Sequence, residues 1–403
     1  MLRHFLVIRS IDELNAQMLS VAIAWYVYAA THNPMSLAYA GLARFLPNIG
    51  MMLVTGQAAD RFDRRWIIGL STGLQAICAG TFGILLAASS LSAGIVYLLL
   101  FVIGAAQTFS APAMSATLPN LVSGTEFPRA VTVASSAFQI CSLAGPAIGG
   151  LIYGLNGPGM FVLCAALYLI ALTQLPYLAD HGHKTRVQET GTTDEGALAG
   201  IRYVWSNRLL LALISLDLFA VLLGGVTALL PIYAKDILLV GPAGLGFLRC
   251  APGIGAAMVG LFLAHRTIER RAGKLMLVCV AGFGLAIFVF ALSINLWLSL
   301  AALICAGGFD MVSMVIRQTL VQVSTPDAMR GRVSAVQWLF IGASSELGEF
   351  ESGATAALLG TVHAALVGGL GTLAVVALWA KIFPELRWAD KLAMGDEGAG
   401  GSG

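Results

Sequence analysis

The chain has 403 residues, of which 58% are hydrophobic and 11% charged, and its mean hydropathy is +0.84. Soluble globular proteins are about 45–50% apolar and about 25% charged, so there are too few charges here to cover a water-facing surface. The 23 Lys and Arg against 21 Asp and Glu leave a net charge of +2, which supplies no basic face for nucleic acid. What remains is a polytopic protein whose solvent is the lipid bilayer, and at roughly 20 apolar residues per membrane helix the length accommodates twelve spans.

Met1–Ser10 is short and basic and lacks the pattern of a cleavable leader. Apolar runs then predict helices centred near residues 20, 47, 77, 104, 142, 169, 220, 253, 283, 307, 345 and 372. Thr31-His32-Asn33-Pro34 breaks the first pair, and Asp60-Arg61-Phe62-Asp63-Arg64-Arg65 breaks the second and third. The longest polar stretch, Asp180–Asn207, reads as a linker. The expected organisation is an N-terminal six-helix bundle (1–180), a linker (181–207), a second six-helix bundle (208–384) and a flexible tail (385–403). Arg3, Arg9, Arg61, Arg64, Arg65, Arg129, Arg202, Arg270, Lys274, Arg330 and Lys381 all fall in ends or loops of one parity, whereas Lys235 alone falls in a loop of the other. That asymmetry predicts cytoplasmic termini and a cytoplasmic linker. The six cysteines sit in apolar runs without C-x-x-C spacing, which predicts small buried residues rather than a metal site or disulfide framework.

A shift of about 203 residues superposes the two halves. Thr117–Gly150 resembles Thr319–Gly353, with Arg129 over Arg332, Gly145 over Gly348 and Gly150 over Gly353. With twelve spans and a central linker, the repeat implies two pseudo-symmetric six-helix bundles and an all-α membrane fold, with a substrate cavity between them.

The loop Gly56–Arg65 (GQAADRFDRR) resembles the signature between helices two and three of the major facilitator superfamily, and Gly145-Pro146-Ala147-Ile148-Gly149-Gly150 resembles its fifth-helix antiporter motif. Thr325–Arg332 (TPDAMRGR) and Ser344–Gly353 (SSELGEFESG) are similar to the enterobactin-exporter-like branch of bacterial drug and siderophore efflux proteins. Asp63 departs from the superfamily pattern, which more often has Gly there, and His265 replaces the second-half counterpart of Asp60. The resemblance implies a cytoplasmic gate in which Gly56, Asp60, Arg61, Arg64, Arg65 and Arg332 latch the two halves; the plainer alternative is a basic loop that only sets topology. Gly145, Pro146, Gly149 and Gly150 suit close helix packing and a bend.

Charges inside apolar spans cost about 2.5–3.5 kcal/mol each at mid-bilayer and should face a cavity or one another. Asp12, Glu13, Arg44, Asp217, Arg249, Asp310, Arg317, Glu346, Glu349 and Glu351 fall in or near such spans. Asp310, Met314 and Arg317 form one stripe of helix ten, with Gln107 in the equivalent position of helix four. Helix one carries Glu13, Gln17, Ser20 and Tyr28 at steps of three and four, with Trp25 beside Tyr28. By the resemblance these helices line the central path, so Glu13, Gln17, Trp25, Tyr28, Gln107, Asp217, Asp310, Met314, Arg317, Glu346 and Glu349 are candidates for the substrate and proton pathway. Arg44 facing Glu349 or Glu351 is a candidate outer gate, or else a static ion pair. Asp217 lacks a same-helix cation, and either Asp217 or Glu346 is the expected proton carrier.

The expected function is secondary active export of a siderophore, drug or amphipathic metabolite by proton antiport with alternating access. The expected setting is a bacterial inner membrane, as a monomer, with no cofactor. The alternative is an uncoupled facilitator or importer. A membrane enzyme is disfavoured, since neither H-E-x-x-H nor a P-loop occurs.

Overall fold

The computed structural model describes residues 1–122, 125–178, 194–265 and 271–388, with only the helical backbone at 52–54, 56–61, 194–198 and 327–328. The described residues are helical without strands. Six long helices come first: α1 (Leu2–Thr31), α2 (Pro34–Arg61), α3 (Arg64–Ala87), α4 (Ala93–Thr117), α5 (Phe127–Leu155) and α6 (Gly157–Gln174). After α7 (Asp194–Ser206), six more follow: α8 (Arg208–Gly224), α9 (Gly241–His265), α10 (Ala272–Leu292), α11 (Leu296–Val323), α12 (Asp327–Leu359) and α13 (Thr361–Ile382). Every expected span centre lies inside one of these long helices. The basic N-terminal lead is already helical from Leu2, and the polar linker ends in the helix α7, which packs on α12. The remainder of the linker, 179–193, and the tail from 389 onward lie outside the described residues.

Helix starts follow local chemistry. Asn156, Asn207 and Asn295 cap α6, α8 and α11, their side-chain oxygens accepting from backbone N–H groups of the first turn. Asp63 does the same for α3, its Oδ1 accepting from Arg65 N at 2.9 Å. This gives the departure from the superfamily pattern a physical role: where a glycine would only permit the turn, Asp63 also satisfies a free helix-end donor. α1 stops at His32, which takes a left-handed conformation (φ 50°) two residues before Pro34.

On α3 the usual amphipathic logic is inverted. Thr72 and Gln75 are buried, whereas Leu70, Ile77 and Ile84, on a seven-residue repeat, are 74%, 67% and 68% exposed. An apolar outer face with polar residues inside is a lipid-facing pattern. Among the described residues, nine helical stretches are long and apolar enough to cross a membrane. α1, α2 and α12 are outside that set, and they carry Asp12 with Glu13, Arg44, and Glu346 with Glu349 and Glu351, respectively.

The chain divides into two compact units: Met1–Val187 with Thr227–Cys250, and Gln188–Val226 with Ala251–Gly403. The division follows a break after α8: Gly225 is extended, and the same span continues through a 3-10 turn (Thr227–Leu229) and a π-helical turn (Tyr233–Ile237). In unit 1, α1 packs on α5 and α6, α2 on α4, and α3 on α4 and α6. In unit 2, α8 packs on α12 and α13, and α10 on α11 and α13, the same pattern one repeat later. The core of unit 1 gathers Phe5, Ile8, Ile68, Ala113 and Met114; that of unit 2 gathers Leu213, Leu216, Met276, Ile316 and Leu320. Cys305 is exposed, unlike the burial expected of it, because its face of α11 points away from the core; Cys78, Cys164, Cys250 and Cys279 are buried.

Candidate transport site

In unit 1 the polar stripe of α1 is engaged along its length. Gln17 Nε2 donates to Glu13 Oε1 at 2.9 Å, one turn apart. Arg249 of α9 donates to the Ser20 hydroxyl, and the Tyr28 hydroxyl donates to the Asp236 carboxylate in the π-helical turn. Trp25 is half-buried beside them. Lys235, the cation of unexpected parity, donates to the Ala29 carbonyl at 3.2 Å and lies 5.8 Å from the Tyr28 ring centre. Hydropathy alone signals none of these partners for Asp236 and Lys235.

Arg44 and Gln107 come together. Both Nε and Nη2 of Arg44 donate to Gln107 Oε1, at 3.3 and 3.0 Å. The approach of α2 to α4 makes this reach possible, since a Cβ at Gly104 would collide with the Arg44 carbonyl. The expected partner of Arg44 is Glu349 or Glu351; within its own unit Gln107 holds it, while Glu351 accepts from the Thr355 hydroxyl at 2.8 Å. Gln107→Ala is therefore expected to destabilise the protein by about 1.5–3 kcal/mol, by removing a hydrogen bond to a charged group. A thermal unfolding series in detergent checks this, and an unchanged midpoint would refute it.

The Gly-Pro motif lies at a seam. A Cβ at Gly145 would lie 2.5 Å from the Gln17 Cβ, and one at Gly149 would lie 2.7 Å from the Met18 Cα. Gly150 sits against the Pro242 carbonyl of α9. The motif thus brings α5 against α1 and α9, with backbone contacts that no larger side chain could enter.

In unit 2 the stripe of α11 meets α8. Arg317 Nη1 and Asp217 Oδ1 are 2.5 Å apart, and both residues are nearly inaccessible, at 5% and 7% exposure. The helix of Asp217 carries no cation within reach of it; α8 packing on α11 supplies one. Asp310, seven residues before Arg317, is exposed, and its charge acts on the pair. Met314 is half-buried on the same stripe, and Ser313 beside it is buried with its hydroxyl unpartnered. Trp379 of α13 closes the other side of α8, donating to Ser215 Oγ at 2.9 Å and lying over Phe219. Glu346 and Glu349 are half-buried on α12, whose Gly348 faces the Val221 and Leu222 carbonyls of α8.

The expected cytoplasmic gate is described only in part. The side chains of Gly56, Asp60 and Arg61 lie outside the described residues. Arg64 Nη1 donates to the Ala116 carbonyl at 2.8 Å, tying the start of α3 to the end of α4. Arg65 and Pro146 enter through their backbones, as donor to Asp63 and as a carbonyl facing Gly246. Arg332 donates to the Met329 sulfur at 3.8 Å.

A family described as transmembrane secretion effector, of the major facilitator superfamily, matches residues 2–396. The chain belongs to this family. Enterobactin exporter EntS of Escherichia coli (strain HS) is 29% identical over 397 residues, covering 94% of this chain and 91% of that protein. Nucleoside transporter NupG superposes with a TM-score of 0.74 at 13% identity, covering 95% of this chain and 98% of that one. A D-xylose–proton symporter superposes with a TM-score of 0.72, also at 13% identity, covering 96% and 98%. At these identities the structural likeness speaks for the fold, which is the twelve-helix, two-bundle fold of the superfamily. The protein is a multi-pass membrane transporter of small molecules, not an enzyme, and its relative indicates the efflux side of the family.

Proposed function

We propose that this major facilitator protein is a proton-coupled exporter of a small anionic or amphipathic compound, a catecholate siderophore being the leading class. The observation that carries this reading is the buried Asp217–Arg317 pair with Asp310 on the same stripe. A buried guanidinium paired with one carboxylate, with a second two turns along the same helix, can serve as an exchange point. When Asp217 takes a proton, its hold on Arg317 weakens, and Arg317 becomes available to an anionic substrate. When the substrate leaves, Asp217 loses the proton and recaptures the cation. Glu13, Gln17 and Ser20 form a second polar stripe within unit 1, and Glu346 on α12 is the alternative carboxylate for the proton. Likeness to an enterobactin exporter supports the efflux direction and the substrate class.

The distribution of Lys and Arg supports cytoplasmic termini, and likeness to the bacterial exporter supports an inner-membrane setting; the protein acts as a monomer in this reading. In this reading the Gly56–Arg65 loop of unit 1, with Asp60, Arg61, Arg64 and Arg65, carries the charges of a cytoplasmic gate. The test is transport of enterobactin and, separately, of a cationic dye in proteoliposomes with an imposed pH gradient. Export of the siderophore that rises with the gradient, and falls at least tenfold in Asp217→Asn, supports the proposal. Export indifferent to both refutes proton antiport.

A further inference from the structure

A second polar centre lies in unit 1, away from the α1 stripe just described, where α1, α3 and α6 meet. Gln75 Nε2 donates to Asp12 Oδ1 at 3.2 Å, and the Tyr168 hydroxyl donates to Gln75 Oε1 at 3.0 Å. One turn along α1, Asn15 Nδ2 donates to the Cys164 carbonyl at 3.1 Å. Asn15, Gln75 and Tyr168 are wholly buried, and Thr72 is 1% exposed. Each pair sits at helical spacing, Asp12 with Asn15, Thr72 with Gln75, and Cys164 with Tyr168, so three helix faces converge on one column of polar atoms.

One amide N–H of Asn15 goes to the Cys164 carbonyl, and its Oδ1 and the Thr72 hydroxyl are buried without a partner. Orphaned buried polar atoms are uncommon and call for a specific cause. Among the described residues, the Asp12 carboxyl accepts from one side chain, Gln75. An ionised carboxylate can only accept, whereas a protonated one also carries an O–H that the orphaned Asn15 Oδ1 can take. Among the described residues, the surroundings bring no bonded cation to this carboxyl. Arg9, one turn before Asp12, holds its guanidinium over the Phe138 ring of α5 at 5.7 Å. Arg44 of α2 is held by Gln107. The other titratable groups are Glu13 on α1, Cys78 on α3, Cys141 on α5, and Cys164 with Tyr168 on α6, none of which brings a positive charge. Asp12 itself is half-buried, so one edge of the carboxyl remains reachable for exchange.

We propose that Asp12 is a proton-binding site of unit 1, separate from the Asp217–Arg317 centre. Gln75 holds one oxygen of the carboxyl, and the O–H of the other is given to Asn15 Oδ1, one turn along the same helix. The step is a simple protonation, with the proton taken from water and returned to it. Service as a carrier of the coupled proton rests on the antiport reading above; the binding itself does not.

The test is infrared difference spectroscopy of the full chain in lipid vesicles, titrated from alkaline to acid without substrate. The C=O stretch of a protonated carboxylic acid is expected in the wild type and in Glu13→Gln and Asp217→Asn, with one component lost in Asp12→Asn. Identical C=O bands in wild type and Asp12→Asn at every pH overturn the proposal. If Asp12→Asn does not fold, Asn15→Leu decides. Removing the acceptor should move that component to higher frequency, and an unmoved band rejects the site. A titrating Asp12 in a protein whose export ignores the pH gradient would remove the antiport reading and leave this site standing. Gradient-driven export with a silent Asp12 would do the opposite.

Discussion

Arg317→Met is expected to destabilise the protein by about 3–5 kcal/mol, the range for removing one partner of a buried ion pair. The cause is less the lost attraction than the charge left behind. Asp217 is 7% exposed and would be stranded as an uncompensated carboxylate beside Asp310. Met keeps most of the volume of the aliphatic stem, so packing loss contributes little. The companion Asp217→Asn with Arg317→Met should recover much of the stability, because two neutral residues of similar size can replace a buried pair at little cost. Thermal unfolding in detergent measures all three variants as a cycle. A double variant no more stable than Arg317→Met alone would show that the two residues are not coupled. Transport should remain low in the double variant even as stability returns, since the proposed exchange of partners needs both charges.

The second large effect is expected at the seam of α9 with α11. A Cβ at Gly255 would overlap the Ile304 carbonyl, and one at Gly307 would overlap the Pro252 carbonyl, so the two helices lock at reciprocal glycines. The obstructing atoms are backbone, which cannot rotate aside as a side chain end can. Gly255→Ala or Gly307→Ala must therefore part the helices, with an expected loss of about 3 kcal/mol, the upper end for overpacking. Leu at either position should abolish folded protein on size-exclusion chromatography. Gly342→Ala on α12 is the control. A Cβ at that position would meet nothing within 4 Å, so the change should be neutral or gain up to about 1 kcal/mol from helix propensity. Equal melting temperatures for Gly307→Ala and Gly342→Ala would defeat the argument. Gly104, one repeat earlier, blocks α2 against α4 in the same way.

Much of this is legible in the linear order of residues, and the reasons are local. Nine of the long helical stretches are signalled by their apolar runs alone, because twenty apolar residues satisfy their own backbone hydrogen bonds and need no other element to declare them helical. The caps Asn156, Asn207 and Asn295 mark helix starts for the same local reason. The repeat is legible in the spacing of Gly145 and Gly348, and both glycines lie on the α1-type seam of their own unit, α5 on α1 and α12 on α8. Asp63 looks like a departure from a motif and is a cap, because a motif comparison weighs identity while a helix end weighs free N–H groups.

The partners of the charges are not legible. Sequence spacing reveals neighbours at three and four residues along one helix and is silent about the helix alongside. Asp217 therefore looks unpaired until α11 brings Arg317 to it, and Arg44 points to distant carboxylates although Gln107 lies one helix away. Gln75, Asn15 and Tyr168 read as isolated polar interruptions of apolar runs; only the convergence of α1, α3 and α6 makes them one network. By itself, then, the sequence determined the solvent, the helices, the repeat and the inventory of charges that lipid would penalise. The tertiary structure decided which group answers Asp217, Arg44 and Asp12, because their partners lie on other helices and that choice is made by packing.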